Sequence, residues 1–186
     1  MCVVPMRRFL FAFFCAVIFG ANASARAQVV PAAVGSPFRL QAGALGSMYQ
    51  PDYADEFIAQ TSPNRLYGVG AFFDVRLNRW VQIEGEGHWL RFNQYRGINE
   101  DNYLIGPRVA PWEFHGLVPY GKVLVGLGTG SFLTGNTLAA AYGGGLDYHL
   151  NRRFTLRCVD FEYEWWNVNP TLNPYGGSVG IAYRIF

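Results

Sequence analysis

The sequence predicts an all-β protein, an eight-stranded antiparallel up-and-down transmembrane β-barrel that follows a cleaved signal peptide. The chain begins with an export signal and then alternates apolar with small or polar residues in eight segments. No stretch after residue 27 approaches the roughly 18 apolar residues that a membrane-spanning helix needs. Yet 51% of the residues are hydrophobic and 17% are aromatic. A closed barrel is the remaining way to place so much apolar surface in lipid.

Residues 1–27 have the three parts of a secretory signal. Arg7 and Arg8 give a positive start, Phe9–Gly20 gives a short apolar core, and Ala25–Ala27 gives the small-x-small cleavage pattern. We therefore expect cleavage before Gln28, with Ala21-Asn22-Ala23 as a second candidate site a few residues earlier.

The remaining residues, 28–186, are expected to form one barrel domain. Of the 15 basic residues in the chain, three lie in the signal, so 12 remain against 13 acidic residues. The positive balance belongs to the signal, and nucleic acid is not expected as a partner. Cys158 is the one cysteine after the signal, which excludes a disulfide scaffold.

Eight segments have the two-residue period of strands and are bounded by Gly, Asn, Pro and Asp. Most approach the ~9–11 residues with which a tilted strand crosses the hydrocarbon layer. The predicted strands are Phe38–Tyr49, Leu66–Arg76, Trp80–Phe92, Asn102–Val109, Leu117–Gly128, Thr137–His149, Phe154–Trp166 and Tyr175–Phe186.

The connections between these strands alternate in length. The turns Leu77–Arg79 and Leu150–Arg152 are short and similar in sequence, and Ala110–Gly116 is of medium length. The connections in the other set are Gln50–Arg65, Asn93–Asp101, Thr129–Asn136 and Asn167–Pro174. This pattern is typical of a barrel with short periplasmic turns and longer external loops, and it requires an even number of strands.

The charged residues gather on one face of the strands. In the third strand Gln82, Glu84, Glu86 and His88 alternate with apolar residues and glycines. Small residues accompany the charges, as a narrow interior requires, and aromatic residues lie near strand ends on the other face. We therefore expect the polar face to point inward.

Unpaired charges are costly in a narrow interior, so the inward charges should pair across the lumen and plug it. The predicted lumenal ion-pair network consists of Arg39, Asp74, Arg76, Glu84, Glu86, His88, Arg108, Lys122, Asp147, Asp160, Glu162, Glu164 and Arg184.

The alternation breaks in two places. Phe154 and Leu156 have the same parity as Asp160, which predicts either a β-bulge near Arg157–Cys158 or a changed environment near the periplasmic rim. At the C-terminal strand, Phe186 is one residue out of phase with the apolar stripe.

Three runs carry a family resemblance: Gly143–Tyr148 followed by Asn151-Arg152, Phe161-Glu162-Tyr163, and Gly180–Phe186. They resemble the small outer-membrane β-barrel domain family, which is similar in architecture to the N-terminal barrel of OmpA and to OmpX. The resemblance covers the whole mature chain and implies a place in the cell outer membrane of a Gram-negative-type bacterium, with little chemistry. It also implies that Tyr183, Ile185 and Phe186 form the signal read by the barrel-assembly machinery.

Two acidic clusters have the residue types of catalytic or metal sites. Glu84, Glu86 and His88 could bind zinc, but no second histidine lies at ligand spacing. Asp160, Glu162 and Glu164 could act on glycosides, but a sugar would not fit inside so narrow a barrel. Lumenal charge pairing explains both clusters better, so no metal, cofactor or catalytic residue is predicted.

The histidines and external acids do not favour an enzyme or a calcium protein. His115 and His149 fall at the predicted periplasmic turns, and no serine lies near His88 in the sequence. Asp52, Asp55 and Glu56 do not match the spacing of a calcium loop.

The sequence thus favours a structural or surface-interaction protein that is not an enzyme. The expected partners are outer-membrane lipid, lipopolysaccharide and the assembly machinery, and we expect a monomer. The recognition surface would be the loops Gln50–Arg65 and Asn167–Pro174. The alternatives are an outer-membrane lipid-modifying enzyme and a soluble lipocalin-like binder.

Overall fold

The computed structural model describes residues 39–52, 65–92, 99–131, 133–169 and 171–185. In these residues the chain forms eight antiparallel strands that close into one barrel in the order β1 to β8. The strands are β1 (Arg39–Gln50), β2 (Leu66–Arg76), β3 (Val81–Leu90), β4 (Glu100–Val109), β5 (Leu117–Gly130), β6 (Thr137–His149), β7 (Phe154–Trp166) and β8 (Tyr175–Arg184). The predicted fold class and strand number are confirmed. The predicted signal peptide, residues 1–27, lies outside the described residues.

The predicted strand bounds agree with the structure to within two residues, apart from the C-terminal strand, whose predicted end at Phe186 is not described. Three strands, β2, β6 and β7, have the predicted bounds. The third strand is shorter than predicted because Trp80 belongs to the preceding turn and the strand ends at Leu90. Among the described residues, no helix has the length and apolar character needed to cross a membrane.

Every strand is hydrogen-bonded to two neighbours. Arg39 pairs with Arg76 where β1 meets β2, and Gln41 pairs with Arg184 where β1 meets β8. The sheet therefore has no free edge, which in lipid would leave backbone groups without partners. We call the end with residues 77–80, 110–116 and 150–153 the short-turn end, and the opposite end the long-loop end.

An asparagine side chain shapes both short turns. Asn78 Oδ1 accepts hydrogen bonds from the backbone N–H groups of Trp80 and Val81, each at 2.8 Å. Asn151 Oδ1 accepts the same two bonds from Arg153 and Phe154, each at 2.8 Å. Asparagine favours tight turns because its side chain reaches its own backbone a few residues on.

The predicted β-bulge is confirmed. The register between β7 and β8 shifts between Arg157 and Asp160, and β6 shifts against β7 beside Leu146 and Asp147. Cys158 is the extra residue, so Arg157 and Asp160 both point inward although they lie three positions apart.

The inward face is polar along much of its length and the outward face is apolar. On β2, for example, Tyr67, Val69 and Phe73 are exposed while Phe72 and Asp74 are buried.

The close approach of β6 to β7 requires glycine at position 143. A Cβ on Gly143 would lie 1.9 Å from the carbonyl oxygen of Phe161. Any side chain at that position would therefore push β6 away from β7.

Apolar residues fill the interior toward the long-loop end. Tyr49, Leu66 and Leu90 form one buried cluster. Trp166 packs in a second cluster with Leu104 and Leu124. Most buried charged residues lie in the middle of the interior and its short-turn half, and Glu100, Asp101 and Glu164 lie in the long-loop half.

Candidate functional site: the charged barrel interior

The first layer of the interior is built around Arg108 of β4. Its guanidinium contacts Asp74 of β2 at 2.9 Å, Glu84 of β3 at 3.1 Å and Asp147 of β6 at 2.5 Å. Arg108 is 1% exposed and its carboxylate partners are equally buried. One side chain therefore ties together four strands across the lumen.

Arg157 of β7 lies beside Arg108 and shares its partners. Its guanidinium contacts Glu84 at 2.9 Å, Asp147 at 3.3 Å and Asp160 at 3.3 Å. Arg157 was not predicted to belong to the network, because strict alternation of side chains puts it on the outward face. The predicted bulge was the signal that could have found it, since one extra residue turns Arg157 inward.

Aromatic rings complete the surroundings of the two arginines. The Tyr120 ring lies 3.6 Å from the Cζ atom of Arg108, and the Phe72 ring lies 3.7 Å from that of Arg157. Guanidinium groups stack favourably on aromatic faces, especially where water is excluded. These rings add to the carboxylate contacts that hold the two arginines in place.

Lys122 of β5 forms the second layer. Its Nζ atom contacts Glu84 at 3.1 Å, Glu86 at 2.8 Å and Asp160 at 2.7 Å, and it also pairs with Glu162. An ammonium group has three N–H donors, so four carboxylates compete for it. Lys122 is therefore the shared cation of the central lumen.

On the long-loop side of Lys122, neutral side chains donate hydrogen bonds to the carboxylates. The Tyr49 hydroxyl donates to Glu162. Asn102 Nδ2 donates to Glu164 at 2.6 Å, and Trp166 Nε1 donates to the second oxygen of Glu164 at 2.5 Å. Glu164 is thus held by an amide and an indole alone, whereas Glu162 combines the Tyr49 hydroxyl with the Lys122 ammonium.

His88 belongs to this third layer and makes no ion pair among the described residues. The backbone N–H of His88 donates to Asn102 Oδ1 at 3.1 Å, and its Nδ1 lies 3.1 Å from the same oxygen. Its ring also packs against Tyr49, with ring centroids 5.4 Å apart. His88 is completely buried, and its Nε2 has no hydrogen-bond partner in the described part of the chain.

Three arginines of the predicted network lie elsewhere. Arg39, Arg76 and Arg184 stand at the short-turn mouth, partly or fully exposed, and none forms an ion pair with a carboxylate in the described ranges. Arg184 instead donates to the backbone oxygen of Arg152 at 3.0 Å. With Gln41 and Gln82, these arginines line a cavity of about 20 Å³, which has room for one water.

The buried charges do not balance. Glu100 and Asp101 are buried at the long-loop end, and the other seven buried carboxylates face three interior cations. The carboxylates are Asp74, Glu84, Glu86, Asp147, Asp160, Glu162 and Glu164, and the cations are Arg108, Lys122 and Arg157. An excess of negative charge in a water-poor interior is costly. The carboxylates that have no cation of their own must therefore be stabilised by hydrogen bonds from neighbouring donors.

The interior brings two sets of possible metal ligands together. Glu86, His88 and Glu162 each place one ligand atom within 4.8 Å of the others, and so do Glu84, Glu86 and Asp160. The predicted trio joined His88 to Glu84, but in the structure it is Glu162 of β7 that approaches His88. The Lys122 ammonium contacts both Glu86 and Glu162, so the positive charge next to these two carboxylates is supplied by a lysine of the chain itself.

The described histidines and serines do not form a nucleophile–base pair. Ser47 and Ser178 hydrogen-bond each other at 2.8 Å in the interior. His149 lies 3.0 Å from Thr155 Oγ1 through its Nδ1. Ser36 and Ser62 lie outside the described residues.

Part of the predicted external surface is described. Asp52 Oδ2, just after β1, accepts from the Asn173 backbone N–H at 2.9 Å and so joins the first and last long connections. Arg91 Nε donates to Asp101 Oδ1 at 2.9 Å, and this bond raises the pKa of Arg91. Asp55 and Glu56 lie outside the described residues.

The residues expected to form the assembly signal lie on the outward face of β8 and just after it. Tyr183 is 41% exposed and Ile185 is 50% exposed. Both continue the apolar stripe of Val179 and Ile181. Phe186 lies outside the described residues.

Comparisons with known proteins agree with this architecture. Residues 11–184 match the family model of the outer membrane protein beta-barrel domain. No curated protein sequence matches the chain.

Solved barrels of similar shape come from Gram-negative bacteria. Neisserial surface protein A is 15% identical, covers 80% of this chain and 97% of its own, and superposes with a TM-score of 0.54. The Pseudomonas aeruginosa outer membrane protein OprG is 12% identical, covers 80% and 96%, and has a TM-score of 0.52. The N-terminal barrel of Pseudomonas aeruginosa OprF is 16% identical, covers 79% and 97%, and has a TM-score of 0.50. At these identities the likeness establishes the fold alone.

Proposed function

The chain belongs to the outer membrane protein β-barrel domain family, and we propose that it serves there as a closed, non-enzymatic barrel with a structural or surface-interaction role. The observation that carries this proposal is the charged network that crosses the interior from Asp147 to Glu164. A protein that conducts solutes would need this path to be open. A protein that supports the membrane or presents loops needs a rigid wall instead.

The plugged lumen is supported by the depth at which the network is buried. Arg108, Lys122 and Arg157 are each exposed by 4% or less. Eight strands leave an interior that side chains can fill, whereas wide aqueous channels occur in barrels of 16 or more strands. The cavity at the short-turn mouth, about 20 Å³, is water-sized and ends against Asp74 and Arg108.

A non-enzymatic role is supported by the contacts of the possible catalytic groups. His88 is completely buried and bonded to Asn102, so it is out of reach of a lipid in the membrane. His115 and His149 lie at the short-turn end. A lipid-modifying site at the long-loop end would need a base within reach of lipid, and His88, the described histidine nearest that end, is completely buried.

The long-loop end is the proposed recognition surface, with lipopolysaccharide and external macromolecules as its partners. The bond from Asn173 to Asp52 holds the connections after β1 and β7 together. A joined pair of loops can present a defined surface on a rigid barrel. During biogenesis, Tyr183, Ile185 and Phe186 would be read by the barrel-assembly machinery, and the assembled protein would be a monomer.

Conductance in planar bilayers tests the plugged lumen. The full mature chain, refolded and checked by heat-modifiable gel migration, should give no large stable pore. The matched variant Arg157→Ser with Lys122→Ser removes two of the three interior cations and should raise the frequency of openings, because the carboxylates then repel each other. A large steady conductance of the unmodified protein would contradict the proposal.

A further inference from the structure

The two ends of the barrel carry opposite charge. Described residues at the short-turn end include six arginines and one acid. These are Arg39, Arg76, Arg79, Arg152, Arg153 and Arg184 against Glu113. At the long-loop end, two described arginines, Arg65 and Arg91, face three acids, Asp52, Glu100 and Asp101. The export signal does not explain this asymmetry, because all of these residues lie in the barrel.

The two short turns at the basic end are the same structure built twice. Leu77 N–H donates to the Val81 carbonyl at 3.0 Å, and Leu150 N–H donates to the Phe154 carbonyl at 3.1 Å. In each turn the asparagine that follows the leucine then accepts two backbone hydrogen bonds at 2.8 Å. Side-chain and backbone hydrogen bonds therefore fix the backbone of both turns in the same conformation.

Each turn presents a leucine on the outward stripe and an arginine two residues later. Leu77 is 55% exposed and Leu150 is 50% exposed, and each continues the outward face of its strand. Arg79 and Arg152 are exposed just beyond the strand ends. An exposed leucine next to an exposed arginine matches the boundary between hydrocarbon and headgroups in a membrane.

Aromatic residues and further arginines surround these turns. The Arg79 guanidinium carbon lies 4.6 Å from the centroid of the Trp80 ring. Arg184 bonds to the backbone of Arg152, which brings a second guanidinium to that turn. Arginine binds phosphate through paired N–H donors, and tryptophan favours the membrane interface.

We propose that the segments Leu77–Trp80 and Leu150–Arg153, together called the twin turns, are two binding sites for the phosphate headgroup of an anionic phospholipid. Leu77 and Leu150 enter the acyl region of the leaflet, while Arg79 and Arg152 bind the phosphate. A soluble anionic polymer would account for the arginines but would leave the exposed leucines without a role. This inference rests on the membrane location of the barrel and is independent of whether the lumen is plugged.

The test measures which lipid the barrel holds at its surface. The full mature chain is reconstituted in phosphatidylcholine bilayers that contain either spin-labelled phosphatidylglycerol or spin-labelled phosphatidylcholine, and electron paramagnetic resonance gives the relative association constant. The unmodified protein should prefer phosphatidylglycerol. The double variant Arg79→Gln with Arg152→Gln should weaken binding by about fivefold at each turn, the usual attraction of one basic residue to an anionic surface.

A matched variant at the opposite end separates the twin turns from general charge. Arg65→Gln with Arg91→Gln removes the same number of charges and should leave the lipid preference unchanged. The variant Leu77→Ser with Leu150→Ser should also weaken the association of the labelled phosphatidylglycerol with the barrel, called retention below, because the apolar part of each site is then lost. About 1 M salt should reduce the preference of the unmodified protein, since charges are then screened within about 3 Å.

Three results would overturn the proposal. The unmodified protein could show no preference between the two lipids, or both arginine double variants could lose the preference equally. The leucine variant could keep full retention while soluble anionic glycan fragments displace the labelled lipid, which would assign the arginines to a periplasmic polymer. Heat-modifiable migration of every variant shows that the barrel has folded.

Discussion

The barrel holds two groups of arginines that differ in depth. Arg108 and Arg157 are each 1% exposed in the interior, and each contacts at least three carboxylates. Arg76 and Arg184 lie at the short-turn mouth, partly exposed, with no ion pair to a carboxylate in the described ranges. The same side chain thus crosslinks strands at one depth and faces the mouth or the membrane surface at the other.

Burial explains the difference in role. An interior arginine has lost its hydration water and depends on the carboxylates that replace it. Removing the arginine or its carboxylate therefore leaves an unpaired charge in a low-dielectric interior. A mouth arginine keeps its water, so its pairing contributes little to stability and its charge remains available for a partner. Variants at the two depths should therefore differ strongly in their effect on the free energy of unfolding.

The largest effect is expected for Lys122→Met. Methionine has a similar shape but leaves Glu84, Glu86, Asp160 and Glu162 without their shared cation, which should cost about 3–5 kcal/mol of unfolding free energy. Equilibrium unfolding in urea, with the barrel in lipid vesicles, measures the change. Adding Glu86→Gln and Glu162→Gln to Lys122→Met should recover much of the loss. A loss below ~1 kcal/mol, the range of exposed pairs, would place Lys122 with the mouth arginines.

The next effect in size is expected for Glu84→Gln. Glu84 contacts all three interior cations, at 2.9 to 3.1 Å, so loss of its charge should cost about 1.5–3 kcal/mol. Glu86→Gln is the matched control, because the ion pair of Glu86 is with Lys122. Since carboxylates outnumber cations in the interior, Glu86→Gln should cost less than Glu84→Gln. The reverse order in the same urea titration would mean that contact number does not govern the interior.

The depth of a charge along its strand was the part that the sequence did not predict. Alternation correctly assigned Glu84 and Arg76 to the inward face, but parity gives the face and not the distance from the membrane surface. Arg39, Arg76 and Arg184 were therefore grouped with residues that lie one or two layers deeper. Cross-strand register decides depth, and register depends on the tilt of all eight strands together.

Arg157 shows the second limit of pattern reasoning. The strands, their number and the bulge were predictable because export, lipid and a closed sheet restrict the possible patterns. The side chain that the bulge redirects was not assigned, although it contacts four interior carboxylates. The neutral donors Tyr49, Asn102 and Trp166 were not predicted either, since alternation of charged residues gives no signal for an inward hydroxyl, amide or indole.

The smallest effect is expected for Arg76→Gln at the mouth. Arg76 stands among Arg39 and Arg184 around the water-sized cavity, and no carboxylate pairs with it in the described residues. Removing its charge should change the unfolding free energy by no more than about 0.5 kcal/mol, and relief of repulsion between guanidinium groups favours a gain over a loss. The same urea titration at low and at high salt measures it, because screening should reduce any gain. A loss as large as that of Glu84→Gln would show that Arg76 belongs to the interior network, and the division of the arginines by depth would then fail.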